Sequence, residues 1–199
     1  MFWRIKNAIE EFLDKRTAMK QRKKNGYAVC DLWGMDSWFS ELLPRMLNDM
    51  KNRKYAYSEL EYEEVDSLPE KFIDDCKEEF LKNFEDFETF DYVKDGFVRN
   101  YIIISRIEYC FKEYYNWLSK EFELNKYWEE HSKDLDRRFH WDVEREGKHY
   151  IEIDEPDTER SKELDKLYNE EQLRLLEHYT KLKDEGLKLF VKYFDYLNY

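Results

Sequence analysis

Apolar side chains recur every three to four positions through most of this chain, the period of an amphipathic helix. Phe2, Ile5, Ile9, Phe12 and Leu13 predict a first helix that runs into a basic cluster and stops at Asn25-Gly26. After a connector from Gly26 to Asp36, Asp36 or Ser37 caps a second helix carrying Phe39, Leu42, Leu43, Met46, Leu47 and Met50, with Pro44 placed to kink it. Residues 55–66 are polar and alternating, the pattern of a loop or a short extended piece. Ser67-Leu68-Pro69-Glu70 has the form of a capping box with an early proline. It opens a third helix marked by Phe72, Ile73, Cys76, Phe80, Leu81, Phe84 and Phe87.

Asp95-Gly96 reads as a break between helices. A fourth helix follows, with Ile103, Ile107, Cys110, Phe111, Tyr114 and Leu118 on one face, and it continues or restarts after Asn125 through Tyr127, Trp128 and Leu135. Residues 139–153 are the best strand candidate: Glu146-Gly147 makes a two-residue turn that sets Val143 opposite Tyr150. A lone hairpin is marginal in water, so it is expected to pack on the helices. Pro156-Asp157 opens a long last helix to about residue 197, through Leu164, Leu167, Leu175, Tyr179, Leu182, Phe190 and Tyr193. The expected fold is mainly α, a single domain over 1–199 built as a bundle of about five helices with one small β-hairpin.

Composition agrees with long helices. Five glycines and three prolines in 199 residues leave few tight turns for a many-stranded sheet, and an 18% aromatic content supplies large core side chains. The formal charge of −12 disfavours generic binding to nucleic-acid backbones or anionic membranes. It is unevenly placed: residues 1–24 carry a net +5 and residues 59–91 a net −11. Both blocks are expected as solvated helix faces, with a basic phosphate-meeting patch and an acidic phosphate-mimicking face as the functional alternatives. Cys30, Cys76 and Cys110 are isolated, so no disulfide framework or Cys-x-x-Cys motif exists, and a reducing compartment fits. Neither a signal peptide nor a membrane-length apolar run is present in the sequence.

Glycine-rich phosphate loops, nucleophile elbows and His-Glu-x-x-His are absent, and His131, His140, His149 and His178 lack the i, i+4 pairing of a helical metal site. No metal or cofactor is implied. The connector, with Tyr27, Trp33 and Trp38, either covers the core or offers flat rings to stack a base. At 100° per residue, with Arg99 as zero, Ile103, Cys110 and Tyr114 fall at about 40°, 20° and 60°, Arg106 at about −20° and Trp117 at about 0°. Both arginines therefore border the apolar face, where they either pair with acids or line a phosphate pocket with Trp117. Arg137-Arg138 beside His140 offers a similar mix, and Arg45 on the second helix joins the ligand-binding candidates.

Gly26-Tyr27, Asp31-x-Trp33 and Asp36-x-Trp38-Phe39, followed by Leu42-Leu43-Pro44, resemble a group of small tailed-bacteriophage proteins with a G-[YW]-x3-D-x-W-x2-D-x-[YW] segment near the N-terminus. The stretch from Leu189-Phe190 through Tyr193-Phe194 to Leu197 is also similar to the end of that group, without its terminal Leu-Trp-Asp. The resemblance covers about a quarter of the chain and brings no catalytic residues with it. It implies a phage accessory protein acting by binding. The expected function is sequestration, without turnover, of a host immune signal of the cyclic-nucleotide or cyclic ADP-ribose type in the host-cell cytoplasm, with no membrane and with a homo-oligomer open. One alternative is an acidic nucleic-acid mimic, through residues 59–91, that inhibits a host nuclease or polymerase. Another is a signal-degrading enzyme using His140, His149 and carboxylates in acid–base roles.

Overall fold

The computed structural model describes residues 15–24, 35–51, 63–84 and 91–196. Helix α1 covers 15–24 of these, α2 is Met35–Lys51, and a 3-10 turn over Glu63–Ser67 precedes α3, Glu70–Asn83. Then come α4, Asp91–Lys120, and α5, Trp128–Arg138, which runs directly into the hairpin strands β1, Phe139–Arg145, and β2, Lys148–Ile153. The long α6, Glu159–Tyr193, closes the order with a 3-10 turn over Phe194–Tyr196. The fold is mainly α-helical with one small antiparallel hairpin, as the periodicity predicts. No described helix is long and apolar enough to cross a membrane.

Helix α4 is the axis of the arrangement. Tyr101 to Ser105 are buried at five consecutive positions, so this stretch has no wet face and must be surrounded. It packs chiefly on α2 and α6, with α3 on a further side and α5 lying on α6. The main core joins Leu43 and Leu47 of α2, Cys76 and Phe80 of α3, Ile102, Ile103, Ile107 and Phe111 of α4, and Leu189 and Tyr193 of α6. A second cluster, Tyr114, Trp117 and Leu175 with Tyr179, fastens the C-terminal end of α4 to the middle of α6. Gly186 permits the close α4–α6 crossing: a Cβ placed there would stand 2.8 Å from Cys110 Cβ.

Several local expectations are corrected. Asp95-Gly96 is no break, because α4 runs through it: Arg99 reaches back to Asp95 across one turn, Gly96 is buried, and one helical glycine costs only about 1 kcal/mol. The capping box does not form. Ser67 closes the 3-10 turn and donates its hydroxyl to Glu64 O at 2.7 Å, which leaves Pro69 at the N-cap of α3 without a side-chain cap. Part of the expected 55–66 loop is that same 3-10 turn, from Glu63 onward. Helix α3 covers Glu70–Asn83, with Phe87 outside the described residues, and α6 is capped by Thr158, whose side chain accepts from Ser161 N, two residues beyond Pro156.

The hairpin register matches expectation, with Val143 opposite Tyr150. Glu146 and Gly147 sit at φ 53° and 69°, the positive pair that a two-residue turn of this hand requires. Its setting does not match. All strand residues except Phe139, Val143 and Glu152 are exposed, so the hairpin projects from the helices where packing on them was expected.

Candidate functional site

Helices α2 and α4 border an open cleft of about 350 Å³. Ser40, Glu41, Pro44, Arg45, Asn48 and Asp49 line it from α2, and Glu108, Lys112 and Tyr115 from α4. The spacings put 41, 45 and 48, like 108, 112 and 115, along single helical stripes. Proline shapes the wall as well. Pro44 has no N–H, so the Ser40 carbonyl is deprived of its i+4 donor at a point where both residues border the cleft.

The charges of the cleft differ in how firmly they are held. Beneath it, buried Lys51 binds Glu108 Oε2 at 2.9 Å and Glu79 at 3.4 Å and lies over the Tyr101 ring, so Glu108 is committed. Arg45 meets Glu41 at 2.6 Å through one contact between side chains that are 71% and 41% exposed. Lys112 has no carboxylate partner among the described residues.

The other nominated residues whose side chains are described lie away from this cleft, and the structure does not gather them into one site. Arg99 pairs with Asp66 at 2.9 Å and Asp95 at 3.3 Å. Arg106 forms a two-pronged pair with Glu185, at 2.6 and 2.8 Å, while its guanidinium lies over the Phe72 and Tyr109 rings. Trp117 stacks on Tyr179 with centroids 5.8 Å apart, and its buried Nε1 has no acceptor among the described residues. Tyr27 and Trp33 fall outside the described residues. So does the side chain of Trp38, although its backbone is in α2.

Arg137, Arg138 and His140 belong to a polar junction where α5, the hairpin root and α6 meet. Asp134 is buried there, accepting from Arg137 at 2.5 Å and Ser161 Oγ at 2.8 Å and pairing with Arg138 at 3.0 Å. Burial raises its carboxyl pKa, but these hydrogen bonds and the two guanidiniums outweigh that and hold it below the usual value. Arg138 also binds Asp165 at 2.8 Å, and Asp165 lies 3.2 Å from His131 Nδ1. His131 stacks flat on Tyr168 at 4.0 Å, and burial lowers its pKa against the opposing pull of Asp165. His140 pairs with Asp154 at 2.6 Å, which raises its pKa, and His149 with Asp142 at 2.5 Å. Each charged side chain in this junction lies in an ion pair, the arrangement of a structural clamp, although His131 Nδ1, Asp134 Oδ2 and Arg138 Nε are buried without a well-formed hydrogen bond among the described residues.

The sequence reading therefore missed Lys112 and Tyr115. Counted from Arg99 they fall at about 220° and 160°, on the side of α4 opposite the arginines. Their i, i+3 spacing beside Glu108 was visible, but nothing local shows that α2 leaves a gap there. Chemically the cleft offers two cations, Arg45 and Lys112, beside three carboxylates, Glu41, Asp49 and Glu108, together with a phenol ring and amide, hydroxyl and carbonyl groups for a polar ligand. Among the described residues, no cluster of three His, Cys, Asp or Glu side chains is arranged to hold a metal ion. Comparison of the chain with protein-family models, curated proteins and solved structures finds no match.

Proposed function

We propose that the protein holds a small phosphorylated ligand, of the signalling-nucleotide kind, in the cleft between α2 and α4 without converting it. The observation that carries this reading is the state of the cleft cations. Arg106 and Arg138 are locked by geometry that is partly or wholly buried, whereas among the described residues Lys112 is unpaired and Arg45 is held by one exposed helical pair worth about 0.3–0.5 kcal/mol. A phosphate recruits such cations readily, since charge-assisted hydrogen bonds are about twice as strong as neutral ones. Tyr115 then supplies a ring beside the ligand, and the Ser40 carbonyl an acceptor for an exocyclic amine. Within the cleft Lys51 neutralises Glu108 from below, so the carboxylates that a phosphate competes with for Arg45 and Lys112 are Glu41 and Asp49. The cleft volume sits at the small end of ligand pockets, which suits a ligand of mononucleotide size. The resemblance to small phage proteins supplies a setting, the withdrawal of a host immune signal.

Thermal denaturation with a panel of cyclic nucleotides and cyclic ADP-ribose isomers tests this. A binder raises the melting temperature by mass action, and Lys112→Glu removes that rise while the unliganded melting temperature holds. A rise that survives Lys112→Glu places the ligand elsewhere and contradicts the reading.

One observation favours a second reading, an acidic surface that docks on a basic host nuclease or polymerase. Glu63, Glu70, Asp74, Asp75 and Glu78 are exposed and have no ion-pair partner among the described residues. On α6, by contrast, Glu159, Glu163, Glu171 and Glu177 each have a basic partner one turn away. Binding to a basic protein that weakens steeply with salt and is lost on replacing Asp74, Asp75 and Glu78 by lysine supports this second reading. Binding indifferent to salt sinks it.

A further inference from the structure

Among the described residues, strand β2 is an open and regular sheet edge. Asp154 N donates to Arg138 O at the hairpin root, so alternation along the strand turns the backbone groups of Glu152 and Tyr150 toward β1. Those of His149, Ile151 and Ile153 therefore point outward. The other edge is blunted. The register of β1 shifts between His140 and Val143, with Asp142 at φ 63°, a bulge of the kind that protects edges. Apolar side chains accompany the open edge: Trp141, stacked on Phe139, is 69% exposed, Ile151 59% and Ile153 53%. A two-stranded hairpin that projects in this way lacks the third strand or packed face that independent stability needs.

We infer that β2 pairs antiparallel with β2 of a second copy, joining the two hairpins into a four-stranded sheet about a two-fold axis at Ile151. This register is the one that uses every outward group: Ile151 meets its own copy, and His149 meets Ile153 of the other chain, all as hydrogen-bonded pairs. It also complements charge. Lys148, which has no ion-pair partner among the described residues, comes opposite Asp154 of the other copy, and the symmetry makes that contact twice. Asp154 holds His140 through Oδ2, which leaves Oδ1 for the lysine. A shift of two residues one way would set Glu152 against Glu152. A shift the other way pairs fewer backbone groups. In the committed register the apolar faces carrying Trp141, Ile151 and Ile153 become continuous across the axis.

Sedimentation velocity on the full chain over a range of concentrations tests the inference. The native chain is expected to sediment at twice its 24.9 kDa mass. Ile151→Pro removes an outward N–H while leaving the inward ladder intact, and shifts the protein to monomer with unchanged far-ultraviolet circular dichroism. Lys148→Glu and Asp154→Lys each raise the dissociation constant roughly tenfold or more, and the double exchange restores it. A native chain that stays monomeric at all concentrations overturns the inference, as does a dimer that Ile151→Pro and both charge reversals leave intact.

Discussion

Gly186 of α6 lies so close to Cys110 of α4 that an added Cβ would stand 2.8 Å from Cys110 Cβ and 3.2 Å from the Phe111 ring. Real Cβ atoms do not approach so closely, and both neighbours are buried on the rigid central helix. Gly186→Ala gains about 1 kcal/mol of helix propensity but incurs about 1–3 kcal/mol of overpacking. The net expectation is a loss of about 1 kcal/mol, and a larger one for Gly186→Val. Chemical denaturation measures both. Gly186→Ala more stable than the native chain would mean that the two helices are not in contact here.

The same burial that brings Cys110 against Gly186 silences its thiol. Burial pushes the Cys110 pKa up to about 12 and the Cys76 pKa up to about 11. Only thiolates alkylate at useful rates. In a Cys30→Ser background, iodoacetamide at pH 8 is expected to leave both thiols unmodified in native protein and to label both in denaturant. Mass spectrometry reads the outcome, and prompt native labelling contradicts the packing.

His131 gives stability a pH dependence of known sign. Burial lowers its pKa in the folded chain from the ordinary 6.5, so below that value the unfolded chain binds a proton that the folded chain resists. Its contribution is complete above about pH 6.5 and is lost as pH falls toward the folded value. His140 acts in the opposite sense, because its bond to Asp154 raises its pKa and that contribution fades as pH rises. His131→Gln is expected to flatten the loss of stability between pH 6.5 and 5, while His140→Gln is not. Equal slopes in the native chain and His131→Gln would refute this assignment.

Glu185 is expected to matter more than its place on a solvent-rich helix suggests. It is the two-pronged partner of Arg106, whose side chain is 13% exposed, while Glu185 itself is 36% exposed. Glu185→Ala leaves that guanidinium unpaired at a cost of about 1–2 kcal/mol, below the full buried-pair value because water reaches the carboxylate. The double variant with Arg106→Met recovers part of the loss. No recovery in the double variant argues against a direct pair.

What the sequence disclosed followed from local periodicity and turn chemistry. The hairpin turn at Glu146-Gly147 and its register needed only two positions with positive φ between alternating strands. Asp95-Gly96 carried a turn signal of similar strength. There, helix-long packing of Ile102 to Phe111 outweighed a single glycine, and no local rule weighs the two. Ser67 matched a cap but closes a 3-10 turn, because both uses ask the same hydroxyl to meet a backbone group within three residues. The site was less legible for a different reason. With 46 acidic residues, the partner of Arg106 is found only by folding, 79 positions away at Glu185. Lys112 shares its lack of an acid partner among the described residues with Lys148 and other exposed lysines, and only its place beside Arg45 in the cleft sets it apart.

The central claim is that the cleft beside Lys112 and Arg45 holds a phosphorylated ligand intact. Its most direct test is native mass spectrometry of the chain mixed with cyclic mononucleotides, cyclic dinucleotides, cyclic oligonucleotides and cyclic ADP-ribose isomers, followed by denaturation to recover what was bound. The account predicts one unaltered nucleotide per cleft, recovered from the native chain and absent from the Arg45→Glu, Lys112→Glu variant. A nucleotide recovered in altered form, binding that the variant retains, or no bound species from the whole panel would contradict it.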